Sequence, residues 1–98
     1  MTVTINNQKY PVVVGHRAMI DFERMANKPY NKISTLEDST LLMWCGIKQG
    51  AKLSGMPFLM SFEDFIDYCD ANPGLLDQVA SISEKKTQVQ DPDPVSMT

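Results

Sequence analysis

Residues 2–27, TVTINNQKYPVVVGHRAMIDFERMAN, decide the fold, because their hydrophobic period changes once, from two to 3.6. In 2–6, TVTIN, β-branched residues alternate with polar ones, and 8–14, QKYPVVV, reads as a second strand. Asn6-Asn7 stands between them. Asparagine tolerates the left-handed backbone that a two-residue connection demands, so 2–14 is predicted to be a hairpin. Pro11 has no N–H to donate to a ladder, which gives the second strand a free edge there. An isolated hairpin is marginal in water, so one face must pack on helices. From Gly15 the spacing turns helical. Over 16–27, Ala18, Met19, Phe22, Met25 and Ala26 share one face and Arg17, Asp21 and Arg24 the other, with Ile20 outside the apolar face. Asn27 and then Lys28-Pro29 end that helix.

Downstream of this stretch the chain reads as helices. Ser34-x-x-Glu37 forms a capping-box pattern that opens a helix over 35–53, closed by Gly55 and Pro57. This helix is apolar over most of its circumference, with Leu36, Met43, Trp44, Ile47 and Ala51 in one stripe and Leu42 and Leu53 on another side. Such a helix belongs at the centre of its domain. Ser39, Gly46 and Gly50 lie between the stripes. Glycine inside a helix costs about 1 kcal/mol, which is offset if another element crosses there with its backbone close. Ser61 caps a third helix, 62–70, and Met60 with Phe65 make a hydrophobic staple. Phe62, Phe65, Ile66 and Cys69 form its narrow core stripe, opposite Glu63, Asp64, Asp67 and Asp70. Asn72-Pro73 opens a short fourth helix, 73–83, with Leu75, Leu76, Val79 and Ile82 inward. Residues 84–98 carry no apolar period and two prolines, the composition of a disordered tail. The expected fold class is α+β: an N-terminal β-hairpin packed on a bundle of about four helices, one domain over 1–83. The expected core is Trp44, Phe22, Met43, Ile47, Phe62, Phe65, Ile66, Leu76 and Val79.

Composition limits what such a domain does. The 98 residues are 43% apolar and 21% charged, ordinary for a globular chain. No apolar run reaches the length of a membrane helix, and the start lacks the pattern of a secretory signal, so no membrane association is expected. The net charge of -3 is uneven. In residues 1–33, five Lys and Arg outnumber Asp21 and Glu23; residues 34–83 hold seven acids against Lys48 and Lys52. An acidic total argues against binding a phosphate backbone, so nucleic acid is not an expected partner. Cys45 and Cys69, with one histidine in the chain, cannot make a zinc site at usual spacing. Both fall in apolar helical patterns, as reduced, buried thiols of a cytosolic protein do.

The chemistry-bearing motifs are few. There is no glycine-rich phosphate loop, and Gly46 and Gly50 lie within a helix. His16, at a helix start beside Arg17, reads as solvated rather than as part of a triad. Glu63, Asp64, Asp67 and Asp70 read as a solvated helix face, since a calcium site draws ligands from a loop or from converging elements. No enzyme, cofactor or metal is expected. What stands out is apolar surface. Leu41 and Cys45 fall in the polar sector of the second helix, Ile20 does so on the first, and the 56–60 connection adds Met56, Phe58, Leu59 and Met60. These seven residues are the candidate partner-binding patch, and flexible methionine side chains suit such surfaces.

The order of parts resembles the small tail assembly chaperones of long-tailed bacteriophages, encoded by phages or prophages. Those proteins open with an I-N-G-x-x-Y hairpin and continue with an R-x-x-x-x-F-E-x-x-x-G helix. Ile5, Asn6, Tyr10, Arg17, Phe22 and Glu23 match, in INNQKYPVVV and RAMIDFERMANKP. Asn7 stands where glycine is common, and Asn27 or Lys28 near the second expected glycine. The resemblance covers roughly 3–83. It implies a non-enzymatic chaperone of the host cytoplasm that binds the tape-measure protein and the tail-tube protein before the tube polymerises. Apart from the resemblance, self-association into a homo-oligomer is another way to cover the patch, since a small domain gains burial that way. Two other readings remain: a small DNA-binding regulator of winged-helix type, and a tail or head-joining component retained in the virion.

Overall fold

In the computed structural model, residues 1–75 and 77–79 are described. Strands β1 (Thr2–Ile5) and β2 (Gln8–Pro11) pair antiparallel, with Ile5 opposite Gln8 and Thr2 opposite Pro11. Asn6 and Asn7 connect them at φ 52° and 66°. Two consecutive left-handed residues are what a type I′ turn requires. Val3 and Ile5 enter the core, and Thr2 and Thr4 face out. The second strand is shorter than 8–14. The Val12 N–H still reaches the Met1 carbonyl (2.8 Å), but the Val13 N–H turns to the Gly46 carbonyl (3.0 Å), in the middle of a helix.

That helix, α2 (Leu36–Leu53), is buried without a break from residue 38 to residue 47 and is central, as its all-round apolarity requires. Residues 11–14 cross it at its glycines. A Cβ at Gly46 would lie 2.9 Å from Val12 Cγ1 and 3.1 Å from Val14 Cγ2, and one at Gly50 would overlap the Pro11 carbonyl oxygen. The helix ends in a Schellman motif: Gly55 is left-handed at φ 70°, the Met56 N–H donates to the Ala51 carbonyl, and the Gly55 N–H to that of Lys52.

Helix α1 (His16–Ala26) has no capping side chain of its own. Gln49 of α2 supplies one, its Oε1 accepting from the Ala18 N–H (2.9 Å) and the Gly15 N–H (3.3 Å). Leu41, Cys45 and Gln49 are spaced i, i+4, i+8 and form one ridge of α2. The start of α1 meets Gln49, the Asp21 charge acts on Cys45, and Met25 and Ala26 share a cavity with Leu41. The two helices therefore run antiparallel along that ridge. Asn27 ends α1 at φ 58°, its N–H bonded to the Glu23 carbonyl. A 3-10 turn, Tyr30–Lys32, follows that the sequence pattern does not predict; the Glu23 carboxylate accepts the Tyr30 N–H there (3.1 Å).

The cap of α2 lies one residue beyond the expected Ser34. Thr35 Oγ1 accepts from the Asp38 N–H at 3.1 Å, and in α3 (Phe62–Ala71) Ser61 Oγ accepts from the Asp64 N–H at the same distance. Thr35-Leu-Glu-Asp38 and Ser61-Phe-Glu-Asp64 are thus two copies of one cap. Trp44 joins α2 to the approach to α3: its indole N–H donates to the Met60 carbonyl (3.0 Å), its ring lies 5.8 Å from that of Phe62, and Lys48 Nζ sits over it at 4.5 Å. The Tyr68 hydroxyl of α3 accepts the Asn6 N–H (3.1 Å) and so holds the hairpin tip. Residues 74–75 and 77–79 are helical, within the expected 73–83.

Trp44, Phe22, Met43, Ile47, Phe65 and Val79 are buried as expected, while Phe62 and Ile66 are half-buried. Leu76, Ile82 and the expected tail 84–98 lie outside the described residues. The observed architecture is α+β, a two-stranded hairpin on a set of about four helices.

Candidate functional site

The seven-residue patch does not survive as drawn. Leu41 is 5% exposed and Cys45 1% exposed. Both lie on the ridge against which α1 packs, so what reads as a polar sector of α2 is a second buried face. Burial, aided by the Asp21 charge, pushes the Cys45 thiol up to about 12. Ile20, Met56, Phe58 and Met60 are half-buried. The Phe58 ring meets Tyr10 edge-on at 5.2 Å, and Met60 lends its carbonyl to Trp44. The 56–60 connection is thus mostly a clamp between hairpin and helices. Leu59 alone of the seven stands clear, 94% exposed.

Other apolar side chains are exposed where the pattern placed them inward. Leu53 is 70% exposed at the end of α2. Leu36 and Met25 are at least half exposed; they sit at the one end of the antiparallel α1–α2 pair, where the packed ridge runs out. A cavity of about 390 Å³ opens at this end between α1, α2 and α3. Met25, Leu41 and Phe62 give it an apolar lining, and Glu37, Asp38, Glu63 and Lys28 supply its charges. A more apolar cavity of about 290 Å³, lined by Leu36, Ile66, Cys69, Pro73 and Val79, ends at the last described residue.

One charged group of the first cavity is already committed. Asp38 is buried, and its Oδ2 accepts from Lys28 Nζ at 2.8 Å and from the Ser34 N–H at 3.1 Å. Burial pushes its pKa up; the hydrogen bonds from Lys28 and Ser34 and the Lys28 charge outweigh this and hold it below the ordinary carboxylate value. This pair ties the 28–34 loop to the first turn of α2. Glu37 and Glu63, the second residues of α2 and α3, are exposed and have no ion-pair partner among the described residues.

The sequence pattern misses Gln49, Asp38, Lys28 and Met25 as site-forming residues. A Thr-x-x-Asp pattern lying one step beyond Ser-x-x-Glu is the single signal that points to Asp38. His16 is exposed at the first position of α1. No three His, Cys, Asp or Glu side chains come together to hold a metal among the described residues, and no described helix is long and apolar enough to cross a membrane. No protein-family model, curated protein or solved structure matches the chain.

Proposed function

We propose that this is a protein-binding chaperone of phage tail assembly, acting on the tape-measure protein, the tail-tube protein or both, in the host cytoplasm. The observation that carries the binding role is the set of exposed apolar side chains, Leu59 and Leu53 foremost, with Leu36 and Met25 together at one end of the α1–α2 pair. Apolar surface that gathers in one place and stays open to solvent is what a partner covers. The phage assignment rests on the resemblance of the hairpin and first helix. Each matching residue has a task inside the fold. Ile5 and Phe22 are buried, and Asn6 makes the turn. Tyr10 packs on Phe58, Arg17 pairs with Asp21, and Glu23 holds Tyr30. The shared motif therefore specifies a scaffold, and recognition falls to the exposed residues around it.

Co-expression with the tape-measure and tail-tube proteins of its own genome tests this. The expected result is co-purification with at least one and a larger soluble fraction of that client, with the protein missing from purified particles by mass spectrometry. Co-purification with neither overturns the proposal. Presence in finished particles assigns the protein to the virion instead, and retention on heparin at moderate salt favours the winged-helix reading.

A further inference from the structure

The cavity where α1 ends and α2 and α3 begin has a chemistry that selects its occupant. Met25, half exposed, and the half-buried Phe62 give it apolar contact surface above the buried Leu41. Among the described residues its charged groups are three carboxylates, Glu37, Asp38 and Glu63, against Lys28, and Lys28 is spent on Asp38. The N-termini of α2 and α3 each add about half a positive charge, and the C-terminus of α1 about half a negative one. Their sum offsets only about half of one carboxylate charge, so the cavity stays negative. Among the described residues its walls come from α1, α2 and α3 and the loop between α1 and α2, and none of them offers a strand edge to pair with an extended chain. Binding there must run through side chains, as when an amphipathic helix lies in a groove.

We propose that this cavity docks an amphipathic helical segment of a partner protein that presents a lysine or arginine beside a leucine- or methionine-like side chain. The apolar group meets Met25 and Phe62, and the cation lies between Glu37 and Glu63. The assignment rests on the protein-binding reading above and adds the site and the chemistry of the segment it takes.

The test uses the full chain, labelled with ¹⁵N, and a synthetic 15-residue amphipathic helix of leucine and lysine as probe, with the leucine–glutamate helix as control. The lysine helix should shift the amides of Met25, Lys28, Glu37 and Glu63 and bind more weakly as salt rises; the glutamate helix should do neither. E37Q/E63Q should weaken binding about tenfold, the effect of two partly desolvated charge contacts. D67N/D70N removes the same charge from the outer face of α3 and should change affinity less than about twofold. Equal losses in the two pairs mean attraction to net charge alone and overturn the site, as do amide shifts that map elsewhere or no binding at all. If K85E/K86E shifts the Glu37 and Glu63 amides without any peptide, the occupant is the chain's own C-terminal segment. If E37Q/E63Q changes the sedimentation coefficient, the occupant is a second copy. Either result overturns the proposal. Capture of a tail protein with unchanged affinity in E37Q/E63Q would leave the chaperone reading standing and remove this site; a bound lysine helix without any tail-protein partner would do the reverse.

Discussion

At the scale of single residues, Gly50 and Asp38 show how much one atom decides. In an exposed helix, Gly→Ala stabilises by about 1 kcal/mol. At Gly50 the added Cβ meets the Pro11 carbonyl oxygen, a backbone atom that moves only with the strand. Overpacking of this kind costs about 1–3 kcal/mol, and the upper end applies where no side chain can swing away. Gly50→Ala should therefore lower the urea midpoint, and an increase would show that residues 11–14 do not cross there. Gly46→Ala meets valine methyl groups and should cost less. Asp38 sets a pH dependence. Its folded pKa is depressed, so it contributes stability that is fully present above the unfolded value of about 3.9 and is lost as pH falls through the lower folded value. Urea titrations from pH 7 to pH 2.5 should show a shallower acid decline in Asp38→Asn than in the wild type. Equal slopes would mean that the contacts of Lys28 and Ser34 with the Asp38 carboxylate contribute nothing in solution.

At the scale of elements, local chemistry was legible and docking was not. Asn6-Asn7 announces the hairpin because left-handed tolerance is a property of the residue itself. Ser61 and Gly55 mark helix ends for the same kind of local reason. The glycines of α2 foretell a crossing because nothing else offsets their cost in a helix. The cap of α2 falls one residue beyond the one the pattern predicts, since Ser34 and Thr35 each have an acid three positions on, and the contacts that hold Asp38, from Lys28 and the Ser34 N–H, lie outside the pattern. Leu41 and Cys45 look exposed in the sequence for a deeper reason. A ridge that also carries Gln49 looks polar, yet the half-buried Gln49 serves two N–H groups at the start of α1, Gly15 and Ala18, more than thirty residues away. No period in α2 contains that information. The turn supplies the test at this scale. Asn7 holds φ 66°, a conformation glycine adopts without the Cβ penalty. Asn7→Gly should raise stability by about 0.5 kcal/mol, a rise in melting temperature of about 2–4 °C in a domain this small. A fall would mean that the Asn7 side chain contributes more to the turn than its backbone strain costs.

For the whole molecule, the question is which apolar residues hold the fold and which are left for a partner, and two leucines separate the answers. A chain of this size is stable by roughly 5–10 kcal/mol. Leu41 is 5% exposed and packs on the ridge that α1 covers, so Leu41→Lys removes a buried leucine's contacts, and its ammonium can escape only by reaching toward the mouth of the cavity that Leu41 lines. Losing a buried leucine costs about 2–5 kcal/mol, a large part of that margin. This variant should melt well below the wild type by circular dichroism. Leu59 is open to solvent over nearly its whole surface. Leu59→Lys changes no packed contact and should leave stability within about 0.5 kcal/mol of the wild type. Any loss of client binding in Leu59→Lys is then a loss of interface and not of fold, because its melting temperature serves as the control. A Leu41→Lys protein that melts with the wild type would return Leu41 to the surface and restore the larger patch. A Leu59→Lys protein that melts several degrees lower would make the 56–60 connection structural along its full length. In that case Leu53, Leu36 and Met25, at the ends of α2 and α1, would be exposed apolar side chains left to meet a client.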